Sequence, residues 1–167
     1  MGAFVSMHEC VLLVVRNQSQ NLAQKCSEQD AWFRSLNVNL QLPVHFATIT
    51  TNSSADLELC LREIAQFNAD GQRNRLLVEG PQLEDVVTFL TLEALAFGFD
   101  VYLLTDAIET LSPSIASFHW DQLYQAGAVP TSVAQMLREW AVTSSDSSVV
   151  KKICECEIEF KTIKNCV

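Results

Sequence analysis

The chain has 167 residues, 49% of them hydrophobic and 19% charged, with 5 Gly and 4 Pro. That composition suits one packed globular domain and excludes a disordered or collagen-like chain. Its 20 acidic and 11 basic residues leave a net charge of −9. A field of that sign repels nucleic-acid phosphates and anionic headgroups, so no nucleic acid is expected as a partner.

No apolar run approaches the roughly 20 residues needed to cross a bilayer, so no membrane span is expected. The six cysteines include no Cys-x-x-Cys pair, and Cys154-Glu155-Cys156 has the wrong spacing for a zinc knuckle. They read as reduced thiols of a cytoplasmic protein rather than as a secreted disulfide framework. No charged segment leads into a long apolar one near the start, so secretion is not expected. Residues 1–6, MGAFVS, match the short N-myristoylation pattern through Gly2 and Ser6.

Taken in chain order, Val11 to Val15 is an apolar, β-branched run of the length of a strand buried on both faces, ended by Arg16 to Ser19. Ser27 to Leu40 reads as a helix, with Ser27 as N-cap, Asp30 at the third helical position and Ala31, Trp32, Leu36 and Leu40 on one side. Pro43 to Thr50 is a second strand. Ala55 to Phe67 is a helix with Leu57, Leu61 and Ile64 on one stripe, closed by residues 68–71. Arg75 to Glu79 is a third strand. Gly80-Pro81 leads into a long apolar helix from about Gln82 to Phe97, and Gly98 stops it. Phe99 to Leu104 is a fourth strand ending at Thr105-Asp106. A helix over Ser114 to Gln125, a short strand at Ala128-Val129 and a helix over Ser132 to Ala141 complete the unit.

Strands spaced this way by helices require parallel pairing through crossovers. The expected fold is a three-layer α/β/α sandwich, Rossmann-like, with a parallel sheet of about five or six strands in one domain over residues 1–142. Residues 143–148 read as a polar hinge. Residues 149–167 fit either a helix with Val149, Ile153, Cys156, Phe160, Ile163 and Val167 on one stripe, or an alternating strand. The helix accounts for the whole segment, and its apolar stripe is expected to dock on its own domain or on a partner subunit.

In parallel α/β folds chemistry sits at the carboxyl ends of the strands. The pattern there is Gly80-Pro-Gln-Leu-Glu-Asp-Val-Val87, then Thr88 to Ala94, Gly98 to Val101 and Thr105-Asp106-Ala107. It resembles the isochorismatase-like cysteine hydrolases, in which a glycine after a strand leads into a helix carrying the nucleophilic cysteine. Val11 to Gln18 resembles that family's first strand, with its Asp-x-Gln ending. Ala55 to Arg62, His119 and Gly127-Ala128 through Leu137 extend the likeness over about residues 10–140.

The family's mechanism needs a thiolate at a helix N-terminus, an aspartate to take its proton and a lysine to hold the charge. By this resemblance the cysteine falls on Val86 and the aspartate on Arg16, while Gln18 keeps the family's glutamine. The stretch Phe46 to Ser54 contains no lysine. The implied protein is therefore a divergent member without the triad, a catalytically inactive oligomeric binding or structural subunit with no cofactor and no metal; His45 stands alone as a potential ligand. Alternatives are a hydrolase of a C–N or ether bond with a rebuilt site, and a small-carboxylate binding protein. Either would use a vestigial pocket of Arg16, Gln18, Gln82, Glu84, Asp85 and Val86. Arg16 either binds a small anionic ligand or pairs with Glu84 or Asp85, whose position in a helix's first turn also complements the dipole.

Overall fold

The computed structural model describes residues 7–17, 25–49, 54–67, 74–81 and 83–165. The strands are β1 (Cys10–Asn17), β2 (Val44–Ile49), β3 (Arg75–Gly80), β4 (Asp100–Ile108) and β5 (Val129–Thr131). They form a five-stranded sheet in the order β2-β1-β3-β4-β5, parallel throughout. The helices are α1 (Lys25–Leu40), α2 (Ser54–Phe67), α3 (Thr88–Ala96), α4 (Pro113–Ala126), α5 (Val133–Thr143) and α6 (Ser147–Asn165).

The alternation of strand side chains assigns the two helical layers. Val11, Leu13 and Val15 of β1 join Leu76 and Val78 of β3 in a core closed by Leu61 and Ile64 of α2, Leu90 of α3 and Leu123 of α4. Cys10, Leu12 and Val14 join Leu77 of β3 in a second core closed by Trp32 and Leu36 of α1, Leu137 and Trp140 of α5, and Phe160 of α6. Each fully buried side chain of this size contributes roughly 1.5–3 kcal/mol, so both faces of the central strands must be covered for the sheet to persist.

Several boundaries differ from the sequence expectation for physical reasons. Helix α1 begins at Lys25, so Ser27 lies inside the helix instead of capping it; serine is tolerated in a first helical turn, and its presence alone does not mark the boundary. The pairing of β3 with β4 shifts register between Val78 and Gly80, setting Gly80 opposite Ile108. Strand β4 therefore continues through Thr105-Asp106. The Thr105 hydroxyl donates to the Thr131 carbonyl at 3.1 Å, and Asp106 Oδ1 accepts from the Val133 N–H at 2.9 Å. The helix expected from Gln82 opens instead as a π-helical turn over Leu83–Val87 before α3 begins. The Thr88 hydroxyl donates to the carbonyl of Leu83, five residues back, at 2.5 Å.

Gly80 is required by space: a Cβ there would lie 2.8 Å from Val15 Cβ and 3.2 Å from Val15 O. The tail is helical, and Ile153, Cys156 and Phe160 are buried in its own domain with Val149 and Ile163 packed beside them; Val167 lies outside the described residues. The Trp32 indole N–H donates to the Cys156 carbonyl at 3.0 Å, and the Trp32 and Phe160 rings are 4.7 Å apart. Among the described residues no helix is long and apolar enough to cross a membrane. The myristoylation-like residues Gly2 to Ser6 lie outside the described residues.

Candidate functional site

Arg16 closes β1 at the carboxyl edge of the sheet. It follows Val15, which faces the α2–α4 side, so strand alternation turns Arg16 to the α1 side. There its Nε and Nη2 donate to Oδ1 of Asp30 on α1, and Nη1 donates to the Val15 carbonyl. Nη1 also lies 2.6 Å from Oε1 of Glu79, which the same alternation places on this face of the neighbouring strand β3. Gln29, one residue before Asp30, donates from Nε2 to Glu79 Oε2 at 3.3 Å. Four side chains from two strands and one helix thus form a closed polar cluster under the sheet edge.

The electrostatics of this cluster are uneven. Glu79 is only 1% exposed, and its Oε1 meets Arg16 as an ion pair, without a donor in hydrogen-bonding alignment among the described residues. Burial pushes the Glu79 carboxyl up to about 8, against the opposing pull of Arg16. Desolvation works against the charge on Arg16 too, but its bonds to Asp30 and the nearby charge of Glu79 hold the guanidinium above its ordinary value. Arg16 remains a cation, and Glu79 is the group whose charge is marginal.

The π turn lies on the other face. Val86 is 3% exposed and sits in the α2–α4 core with Leu83 and Val87. Glu84 accepts the backbone N–H of Leu111 on both carboxylate oxygens, at 2.9 and 3.0 Å, and that of Ser112 at 3.1 Å. Partial desolvation opposes the Glu84 charge, yet these backbone bonds hold its carboxyl below the usual range. Its task in this geometry is to tie the π turn to the start of α4. Asp85 is half-buried in the same turn.

The expected pairing of Arg16 with Glu84 or Asp85 is not formed: Arg16 faces α1, whereas both acids belong to the turn that covers the opposite face. Gln18 and Gln82 lie outside the described residues. His45 Nε2 lies 3.3 Å from Glu63 Oε2.

Neither Thr88 nor Cys60 is set up as a nucleophile. Thr88 is buried with its hydroxyl hydrogen directed to Leu83 O, and His119 Nδ1 lies 3.3 Å away. With that hydrogen committed, the imidazole contributes its own Nδ1–H to the contact and accepts no proton from Thr88. Burial pushes the Cys60 thiol up to about 12, far from thiolate chemistry.

The sequence reading missed Glu79 and assigned Asp30 only to helix capping. A signal for Glu79 was present: it is the one carboxylate within the otherwise apolar run Leu76 to Gly80, and a lone acid in a doubly buried strand demands a partner. Counting alternate residues back from Arg16 through Val14 and Leu12 likewise points Arg16 toward α1 and not toward the π turn.

Comparisons with known proteins agree on the class of this scaffold. No family model matches the chain. The probable hydrolase YcaC of Escherichia coli is 39% identical over 56 residues, 34% of this chain and 27% of that protein, so the matched segment is about a quarter of the relative's length. The crystal structure of the E. coli YcaC gene product, described as an octameric hydrolase of unknown specificity, superposes with a TM-score of 0.71 at 18% identity, covering 99% of this chain and 95% of that one. A MAR1 ribonuclease from Caenorhabditis elegans gives a TM-score of 0.66 at 17% identity over 93% of each chain. An isochorismatase-like hydrolase from Alkaliphilus metalliredigens gives 0.51 at 12% identity, over 83% of this chain and 99% of that one. The chain has the fold of the isochorismatase-like hydrolases.

Proposed function

We propose that this chain is a non-catalytic variant of the isochorismatase-like scaffold that works by association, as a subunit of an assembly. One observation carries the reading: Arg16, at the place the resemblance gives to the proton-accepting aspartate, is locked by Asp30, Glu79 and the Val15 carbonyl. A guanidinium accepts no proton at any working pH and here is committed to the protein's own acceptors. Val86, at the place given to the nucleophile, is a buried aliphatic side chain. A scaffold that keeps its core and lacks both groups has surface left as its working part. The octameric YcaC gives precedent for self-association as the simplest form of assembly.

Two measurements test this reading. Purified protein incubated with a panel of amides, esters and enol ethers is expected to give no turnover above buffer; turnover abolished by Glu84→Gln or Asp85→Asn would replace the proposal with a hydrolase of rebuilt site. Light scattering is expected to show an assembly larger than one chain, and a monomer at all concentrations would remove self-association.

A further inference from the structure

We infer that the outer face of α3 and α4 docks a protein segment that combines apolar side chains with Lys or Arg. This deepens the proposal of a subunit that works by association and rests on it only for the idea that the surface is the working part. Its test measures binding alone, so turnover in the assay above would leave it standing.

The observation is an uncovered apolar stripe. Leu111 lies just ahead of α4, and Ile115 and Phe118, three residues apart, share one side of the helix. They are 67%, 53% and 69% exposed, whereas Ala116 and Leu123 supply the core side of the same helix. On α3, Phe89 is 57% exposed. The 3.3 Å contact between Thr88 and His119 joins the two helices at the chain neighbours of Phe89 and Phe118, so these rings flank one seam. Glu84 fixes the start of the stripe through the N–H groups of Leu111 and Ser112. Contiguous large apolar side chains held out on ordered helices mark an interaction surface.

Charge selects the occupant. Residues 76–137 contain eight carboxylates and neither lysine nor arginine; Glu79 is buried on the α1 side and Asp106 is bonded to the start of α5, so the rim of this face is set by the others. Glu93 lies one turn beyond Phe89 and Asp121 one turn beyond Phe118, both exposed. Among the described residues, Arg34, Arg138, Lys151, Lys152, Lys161 and Lys164 lie on the α1, α5 and α6 layer, while Arg62 on α2, in the same layer as α3 and α4, is paired with Glu58. A second copy meeting this face with its own would bring carboxylates against carboxylates between chains of net charge −9. An anionic bilayer is repelled for the same reason. A basic amphipathic helix matches both the stripe and its rim.

The probe is a fluorescent synthetic Leu/Lys amphipathic helix titrated with the full chain, beside a Leu/Glu helix of the same pattern. Only the Leu/Lys peptide is expected to bind, with affinity falling as salt rises. Phe118→Ser and Ile115→Ser, two exposed sites, should each weaken it about tenfold or more with unchanged circular dichroism. The double variant Glu93→Lys, Asp121→Lys should weaken it at low salt and flatten the salt dependence. Equal binding of the Leu/Glu peptide, or full binding by both serine variants, would overturn the inference. So would a concentration-dependent dimer lost in Phe118→Ser, which would give the face to a second copy, or Phe118-dependent binding to phosphatidylserine vesicles.

Discussion

Replacing Glu79 by glutamine separates two views of the buried cluster. The folded carboxyl keeps its proton up to about pH 8, whereas an unperturbed one releases it near 4.5. Between those values the folded state binds more protons than the unfolded state, so the stability contributed by this group is complete below about pH 4.5 and is lost as pH rises through about 8. At about 1.4 kcal/mol per pH unit, the interval from 4.5 to about 8 corresponds to a loss of about 5 kcal/mol at most. Glutamine keeps the shape and an acceptor for Gln29 while removing the titration. Urea unfolding followed by tryptophan fluorescence should show Glu79→Gln near wild-type stability at pH 5 and more stable than wild type by several kcal/mol at pH 9, with the pH slope between them flattened. If the Arg16 pair dominates instead, breaking it costs about 3–5 kcal/mol, and the variant is weaker than wild type at both pH values. That result would refute the reasoning.

Arg16→Met, which leaves Asp30 and Glu79 without their cation, should destabilise by about 3–5 kcal/mol at pH 8, and adding Glu79→Gln should recover part of that loss in a double-mutant cycle by urea unfolding. Gly80→Ala pushes a methyl group against Val15 Cβ and O, at 2.8 and 3.2 Å; a cost of about 1–3 kcal/mol is expected from overpacking, read as a lower thermal midpoint. Phe160→Ala removes the ring packed 4.7 Å from Trp32 and should cost about 3–5 kcal/mol with a change in tryptophan emission. Unchanged stability in that variant would mean that α6 does not close the second core.

The sheet was legible because each central strand is buried on both faces: runs such as Val11 to Val15 and Leu76 to Val78 leave few alternatives to a doubly covered parallel strand. The limits of β4 were not, because it runs on through Thr105 to Ile108, whose place in the strand comes from a register shift beside Gly80 and from bonds to Thr131 and Val133. The π turn was hidden for a similar reason: Leu83 to Val87 carries the apolar pattern of an ordinary helix, and the extra residue in the turn depends on local packing. At the candidate site, Arg16 stands out in the sequence as a charge ending a buried strand, but its protein partners are Asp30 and Glu79 rather than Glu84 or Asp85, because strand parity turns it toward α1. Asp30 and Glu79 are 49 residues apart in sequence, and only the β1–β3 pairing with α1 above it brings them to the same guanidinium.

The place of α6 has a consequence for how the chain is made. Trp32 and Phe33 of α1 are synthesised early, yet the partners that cover them include Ile153, Cys156 and Phe160. Until residues 147–165 leave the ribosome, one side of a nearly finished sheet carries bare aromatic and aliphatic groups on a nascent chain, the condition under which growing polypeptides aggregate or recruit chaperones. Closure of this layer is therefore a late event in biosynthesis, and translation halted before Ser147 would release a product with an open, adhesive flank.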